Sequence, residues 1–146
     1  VPTALYNREI LRLAASIPHL GRLQHRQASA EKSSPVCGSR VVVDIAFDGE
    51  GRVAALGQEV KACALGQASA ALMGANAIGR SRAELEQARE ALAAFLAGER
   101  DDPGPWPGLA IFADARRYPA RHASILLAFD AAAEAAALAG AEGAQP

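Results

Sequence analysis

Cys37 and Cys63 are the only two thiols in this 146-residue chain, and both stand where a thiol can do chemistry. A thiolate is a nucleophile toward sulfur and a ligand for zinc or iron. Cys37 lies in Pro35-Val36-Cys37-Gly38-Ser39, a tight turn leading into a valine-rich strand. Cys63 lies in Lys61-Ala62-Cys63-Ala64-Leu65, where a strand gives way to a run of small, helix-compatible residues. A helix N-terminus favours the thiolate over the thiol. A thiol at a strand entrance and another at a helix start can converge at one end of a small sheet, given elements that put them there.

Those elements read as helix, hairpin, then helices. Tyr6, Ile10, Leu13 and Ile17 recur at helical spacing, so Leu5 to Ile17 is predicted as an amphipathic helix ended by Pro18 and Gly21. Leu20 to Ser34 is polar and reads as an edge strand or a mobile loop. Arg40 to Phe47 is the clearest strand, with Val41, Val43, Ile45 and Phe47 on one face and Val42, Asp44 and Ala46 on the other. Asp48 to Gly51 supplies a turn, and Arg52 to Val60 returns as the second arm, with Gly57 marking a bulge or a close backbone approach. Ala62 to Ile78 is a small-residue helix built for close packing.

Ser81-Arg82-Ala83-Glu84 is a capping box, so another helix starts there and runs to about Ala97. Its Leu85, Ala88, Leu92 and Phe95 face the core, and Glu84, Glu86, Arg89 and Glu90 face solvent. Asp101 to Gly108 is too rich in Pro and Gly for regular structure, and Trp106 within it reads as the anchor of an ordered loop. Leu109 to Phe112 is a short helical turn. A last helix runs from near Ala120 to Gly140, which makes 1–140 one domain and 141–146 a frayed tail. The class is α+β, a small antiparallel sheet of about three strands with helices packed on it.

Composition narrows the function classes. The net charge is −1, so no global basic field points to nucleic acid. No apolar stretch reads as long enough for a bilayer, since Asp130 and Glu134 interrupt the alanine-rich segment Ala131 to Ala139. No signal peptide is read, and two cysteines make no disulfide framework, so the expectation is a soluble cytoplasmic protein. His19 and His25 read as surface residues, and Arg116, Arg117 and Arg121 as a solvated basic cluster.

In order and spacing these signals resemble the IscU/NifU/SufU family of iron–sulfur cluster assembly scaffolds. The resemblance runs from Leu5-Tyr6 through Pro18 and Gly21 to Pro35-x-Cys37-Gly38, the valine strand and the Asp48–Gly51 turn, and then to Cys63 with Ala68-Ser69-Ala70. Twenty-five residues separate the cysteines, as the family's hairpin requires. Tyr118-Pro119-Ala120-Arg121 and Leu127-Ala128-Phe129, with the long segment through Trp106, are similar to the SufU branch. Departures are equally clear. Ser39 stands at the family's Asp position. The third cysteine is missing: one register puts Ser124 in its place, the other Ala123, with His122 then matching the family histidine. The chaperone-docking motif of the IscU branch is absent.

The resemblance implies a non-enzymatic scaffold or carrier that takes sulfur from a cysteine desulfurase, takes up iron, and passes a nascent cluster to recipient proteins. Cys37 and Cys63 would be sulfur acceptor and ligand, with His122 a third ligand. Zinc and iron–sulfur sites want about four ligands. Water, a partner's cysteine, or the same pair from a second subunit of a homodimer would complete the shell. A SufU-like zinc-dependent sulfur acceptor is the second reading. A family member that has lost metal chemistry, binds no cofactor and serves as a binding or regulatory module is the third. The plain alternative for the thiols is a pair of small buried side chains or a stray redox pair.

Overall fold

The valine-rich strand organises the molecule. A computed structural model describes residues 7–35 and 38–143, with side chains described as far as 140. The elements are α1 (Arg8–Ala14), β1 (Ala28–Ser34), β2 (Ser39–Phe47), β3 (Val53–Lys61), α2 (Ala64–Ala77), α3 (Arg82–Leu96), a 3₁₀ helix Leu109–Arg117, a 3₁₀ turn Pro119–Arg121, and α4 (His122–Gly143). The strands form an antiparallel sheet in the order β1-β2-β3. Val41, Val43 and Ile45 are fully buried on the inner face, as their alternation predicts. The β2–β3 turn closes on Asp48, whose carboxylate accepts the N–H groups of Arg52 and Glu50, which hold its pKa below the usual value.

On the outer face Asp44 is fully buried, because the segment between α1 and β1 crosses over it. Asp44 accepts two bonds from the Arg22 guanidinium at 2.8 and 3.0 Å, one from the Leu23 N–H at 2.9 Å, and one from the Ser29 hydroxyl. The crossing also explains Gly57. A methyl group there would lie 2.5 Å from the Gly21 carbonyl oxygen and 3.2 Å from the Leu23 nitrogen. Gly57 therefore marks a close approach, while the irregularity in the ladder falls at Ala46/Phe47. Leu20 to Ser34, expected as an edge strand or a mobile loop, is a crossing segment bonded to Asp44 followed by the edge strand β1.

Helix α4 is the hub of the core. It packs on β1, β2, α2 and α3, with Ile125, Phe129, Ala132 and Ala136 fully buried. By length and composition, the segment Pro119–Gly140 is apolar enough to cross a bilayer, which corrects the sequence expectation. Asp130 and Glu134 are too few and too far apart to lower its mean hydropathy of 1.5 below that level. Here that apolarity serves a buried core position, with 61% of the window buried inside the fold. The helix continues to Gly143, three residues past the expected end, and 144–146 lie outside the described residues, as do Leu5 and Tyr6.

Elsewhere expectation and structure agree closely. The Ser81 hydroxyl accepts the Glu84 N–H, and the Glu84 carboxylate accepts the Ser81 N–H, so the capping box is complete. Leu85, Ala88, Leu92 and Phe95 are buried, although Glu84, Glu86 and Arg89 are half-buried rather than fully solvated. Trp106 is buried. Its indole N–H donates to the Leu72 carbonyl at 3.0 Å, and its ring meets Phe129 edge-on at 5.4 Å. The helical turn at Leu109 is longer than its sequence suggests, nine residues of 3₁₀ helix. Arg116 leaves the expected basic cluster. Its guanidinium donates to the Phe95 and Arg100 carbonyls and lies over the Phe95 ring, tying the 3₁₀ segment to the end of α3.

Candidate functional site

Three connections bring Cys63, His122 and the residues flanking Cys37 to one end of the sheet. The β1–β2 turn closes between Ser34 and Ser39, which are register partners, and Arg40 pairs with Lys61 at the end of β3. Gly38 donates its N–H to the Ser34 carbonyl at 2.8 Å with φ of 71°, a left-handed conformation that glycine takes without steric cost. Cys37, inside this turn, lies outside the described residues. Two residues past Lys61, Cys63 is the N-cap of α2, with extended backbone and its carbonyl accepting the Gln67 N–H at 2.8 Å.

The third connection is the meeting of two helix starts. A methyl group at Gly66 would fall 3.1 Å from the Ser124 carbonyl oxygen and 2.7 Å from Ala62 Cβ. The Ser69 hydroxyl donates to the Ile125 carbonyl at 2.6 Å. The first turns of α2 and α4 are therefore pressed together, with Cys63 just ahead of one and His122 opening the other. Gly66→Ala is expected to destabilise the domain by about 1–2 kcal/mol despite its better helix propensity, because overpacking outweighs that gain. Urea unfolding checks this, and the helix contact is not close if the variant is stabilised.

Cys63 is a free thiol, partly buried against the rim of the core. The Nε2 atom of His122 lies 2.9 Å from the Ala115 carbonyl. A carbonyl only accepts, so Nε2 carries the hydrogen, and in the neutral ring Nδ1 keeps the lone pair. This is the backbone-carbonyl bond that commonly orients a ligating imidazole. Ala115 belongs to the 3₁₀ helix, and its carbonyl is a feature that side-chain reading has no means of finding.

Ser39 and Ser124 are 3% and 2% exposed, whereas Ala123 is exposed. Of the two registers for the missing cysteine, Ser124 is therefore the residue turned into the domain. Both serines have interaction partners. His19 and His25 are exposed, as expected.

The donor set can be weighed on these residues. Among the described residues no group of three or more His, Cys, Asp or Glu side chains is placed to hold a metal ion. Cys63 and His122 are two suitable donors. Neutral hydroxyls such as Ser39 and Ser124 compete poorly with water for a borderline-soft ion. The described residues do not form a closed four-ligand site.

Neither a protein-family model nor a curated protein matches the sequence. Solved structures do. The chain is similar to a nitrogen-fixing NifU-like protein (N-terminal) from Brucella abortus, at 38% identity and TM-score 0.87, covering 97% of this chain and 98% of that one. It also has the fold of a candidate iron–sulfur cluster assembly scaffold protein for the SUF system from thermophilic Fervidobacterium islandicum AW-1, at 22% identity and TM-score 0.85, covering 93% and 99%. With the hairpin between its cysteines, the helix that opens at Cys63 and the NifU-like relative matched over nearly its full length, the chain belongs to the IscU/NifU/SufU-like family.

Proposed function

We propose that the protein is a scaffold or carrier in iron–sulfur cluster assembly, not an enzyme, and that Cys63 is the thiol at which sulfur and iron are held. The single observation that carries this is the placement of a free thiol at the N-cap of α2, at the sheet end that also holds the Pro35–Gly38 turn and His122. Partial exposure gives a sulfur donor access to the thiol. Its family membership and the scaffold name of its fold neighbour support the same reading.

The chemistry follows from the thiolate. The Cys63 sulfur attacks the outer sulfur of a persulfide on a cysteine desulfurase. The S–S bond of the donor breaks, the donor leaves as a thiolate, and Cys63 becomes the persulfide. Iron and the nascent cluster are cargo, held by Cys63 with Cys37 and Nδ1 of His122, and released to recipient proteins. An open donor set suits a cargo that must leave. The same open set weighs against the zinc-dependent reading, since zinc in permanent sites takes four firm ligands. A partner's cysteine or a second copy of the chain supplies the remaining positions during transfer. A free thiol fits a reducing compartment, the cytoplasm.

The test is sulfur transfer from a desulfurase, read by the mass gain of one sulfur on the intact chain. Cys63→Ser is expected to lower acceptance by at least about tenfold, because a hydroxyl is not ionised at neutral pH. Unchanged transfer removes Cys63 from this role. His122→Ala is expected to leave acceptance intact and to weaken iron or cluster retention in anaerobic reconstitution. Equal retention by the variant returns His122 to a structural part.

A further inference from the structure

The groove between α3 and α4, beside the edge strand β1, has a volume of about 400 Å³ and is lined chiefly by Lys32, Glu86, Arg89, Asp130, Ala133 and Glu134. Five of these six are charged, so the internal pairs must be subtracted before the groove's own preference shows. Lys32 Nζ is 2.8 Å from Glu134 Oε1, and Glu86 Oε2 is 2.9 Å from Arg82 Nε. Those pairs satisfy Lys32, Glu134 and Glu86.

Asp130 and Arg89 are left over. Among the described residues the Asp130 carboxylate has no hydrogen-bond or ion-pair partner, and Arg89 Nε is buried without an acceptor. Half-burial pushes the Asp130 carboxyl above its ordinary range, partly offset by the charges of Arg89 and Lys32. The two are near enough to attract each other yet too far apart to pair. Asp130 and Arg89 line the same groove with no partner among the described residues, so a molecule carrying both an ammonium and a carboxylate finds one unanswered charge for each.

We propose that this groove binds a small zwitterion of the α-amino-acid class, its ammonium on Asp130 and its carboxylate on the Arg89 guanidinium. A simple cation would leave Arg89 unanswered, and a simple anion would leave Asp130 so. Ala133 contributes an apolar patch to the groove wall. Asp130 is eight residues beyond His122 on α4, about 12 Å along the helix. The groove is therefore separate from the thiol end, and its occupancy does not depend on the carrier reading.

The test is titration of the full-length ¹⁵N-labelled chain with L-alanine, and in parallel with propionate and ethylamine. L-alanine is expected to give saturable amide shifts centred on Arg89, Asp130 and Ala133, with each half-molecule binding at least about tenfold more weakly. Asp130→Asn and Arg89→Gln are each expected to weaken L-alanine about tenfold. Asp130→Asn removes an unpartnered carboxylate and is expected to fold at least as stably as the parent, so loss of binding there is not loss of fold. No saturation with L-alanine, equal shifts from ethylamine alone, or unchanged affinity in Asp130→Asn overturns the proposal.

Discussion

Trp106→Ala is expected to lower stability by about 3–5 kcal/mol, the usual cost of emptying a buried aromatic site. In a domain of this size that is a fall in Tm on the order of 10 °C. Trp106 is 4% exposed and holds the Asp101–Gly108 loop to the core through its edge-on contact with Phe129 and its bond to the Leu72 carbonyl. Arg80 covers its other side, 5.0 Å from the ring centroid. The effect reaches the site through the chain. The loop leads directly into the 3₁₀ helix that carries the Ala115 carbonyl, and that carbonyl orients His122. A second readout is therefore the His122 ring in NMR, whose Nε2–H signal should broaden in the variant. A loss of less than about 1 kcal/mol, on the scale of an ordinary surface substitution, would mean that the loop packs without its anchor.

Asp44→Ala carries the second large effect, about 3 kcal/mol. Removing one member of a buried, hydrogen-bonded pair costs about 3–5 kcal/mol, and the lower end applies here because Arg22 remains partly in water. The variant would release the Arg22–Leu23 crossing from the sheet and leave the Leu23 N–H unpaired. The pH dependence has a definite sign. Burial alone would raise the Asp44 pKa, but the bonds from Arg22, Ser29 and Leu23 outweigh it and hold the carboxyl below its usual value. A depressed pKa in the fold contributes stability that is fully present above the unfolded value near about 3.9, and that is lost as pH falls through the folded value. Urea unfolding of parent and variant should therefore show the full difference at neutral pH and a shrinking one in strong acid. A difference independent of pH would assign the effect to packing rather than to the carboxylate.

Legibility in the sequence followed the range of the interactions. The β2 alternation and the Ser81–Glu84 box are local patterns with one physical solution each, and the structure realises both; Gly57 left a bulge or a close approach open, and the distant Gly21–Leu23 segment decides for the close approach. Trp106 among prolines also had few alternatives, since a large aromatic in an irregular segment is most stable buried. What escaped depends on distant partners. The burial of Asp44 has no local signature, because Arg22 and Leu23 fold over it from 22 and 21 residues away. Arg116 looked like surface charge until the end of α3 supplied carbonyls and a ring. At the site, family spacing singles out Cys63 and the serine positions as candidates, and Cys37 lies outside the described residues. The Ala115 carbonyl, a backbone atom, has no signature in residue types.

The apolar helix α4 sets the order in which the domain can form. Its ties to the rest of the chain are long: the Gln27 side chain reaches the Ala139 carbonyl across 112 residues, and Ser69 reaches the Ile125 carbonyl across 56. On a ribosome the sheet emerges first, and Val41, Val43 and Ile45 present a bare apolar face until α4 arrives to cover it. Contacts of such long sequence separation slow folding and lengthen the exposure of unfinished cores. The nascent chain therefore passes through a vulnerable interval that ends only when its last long helix docks.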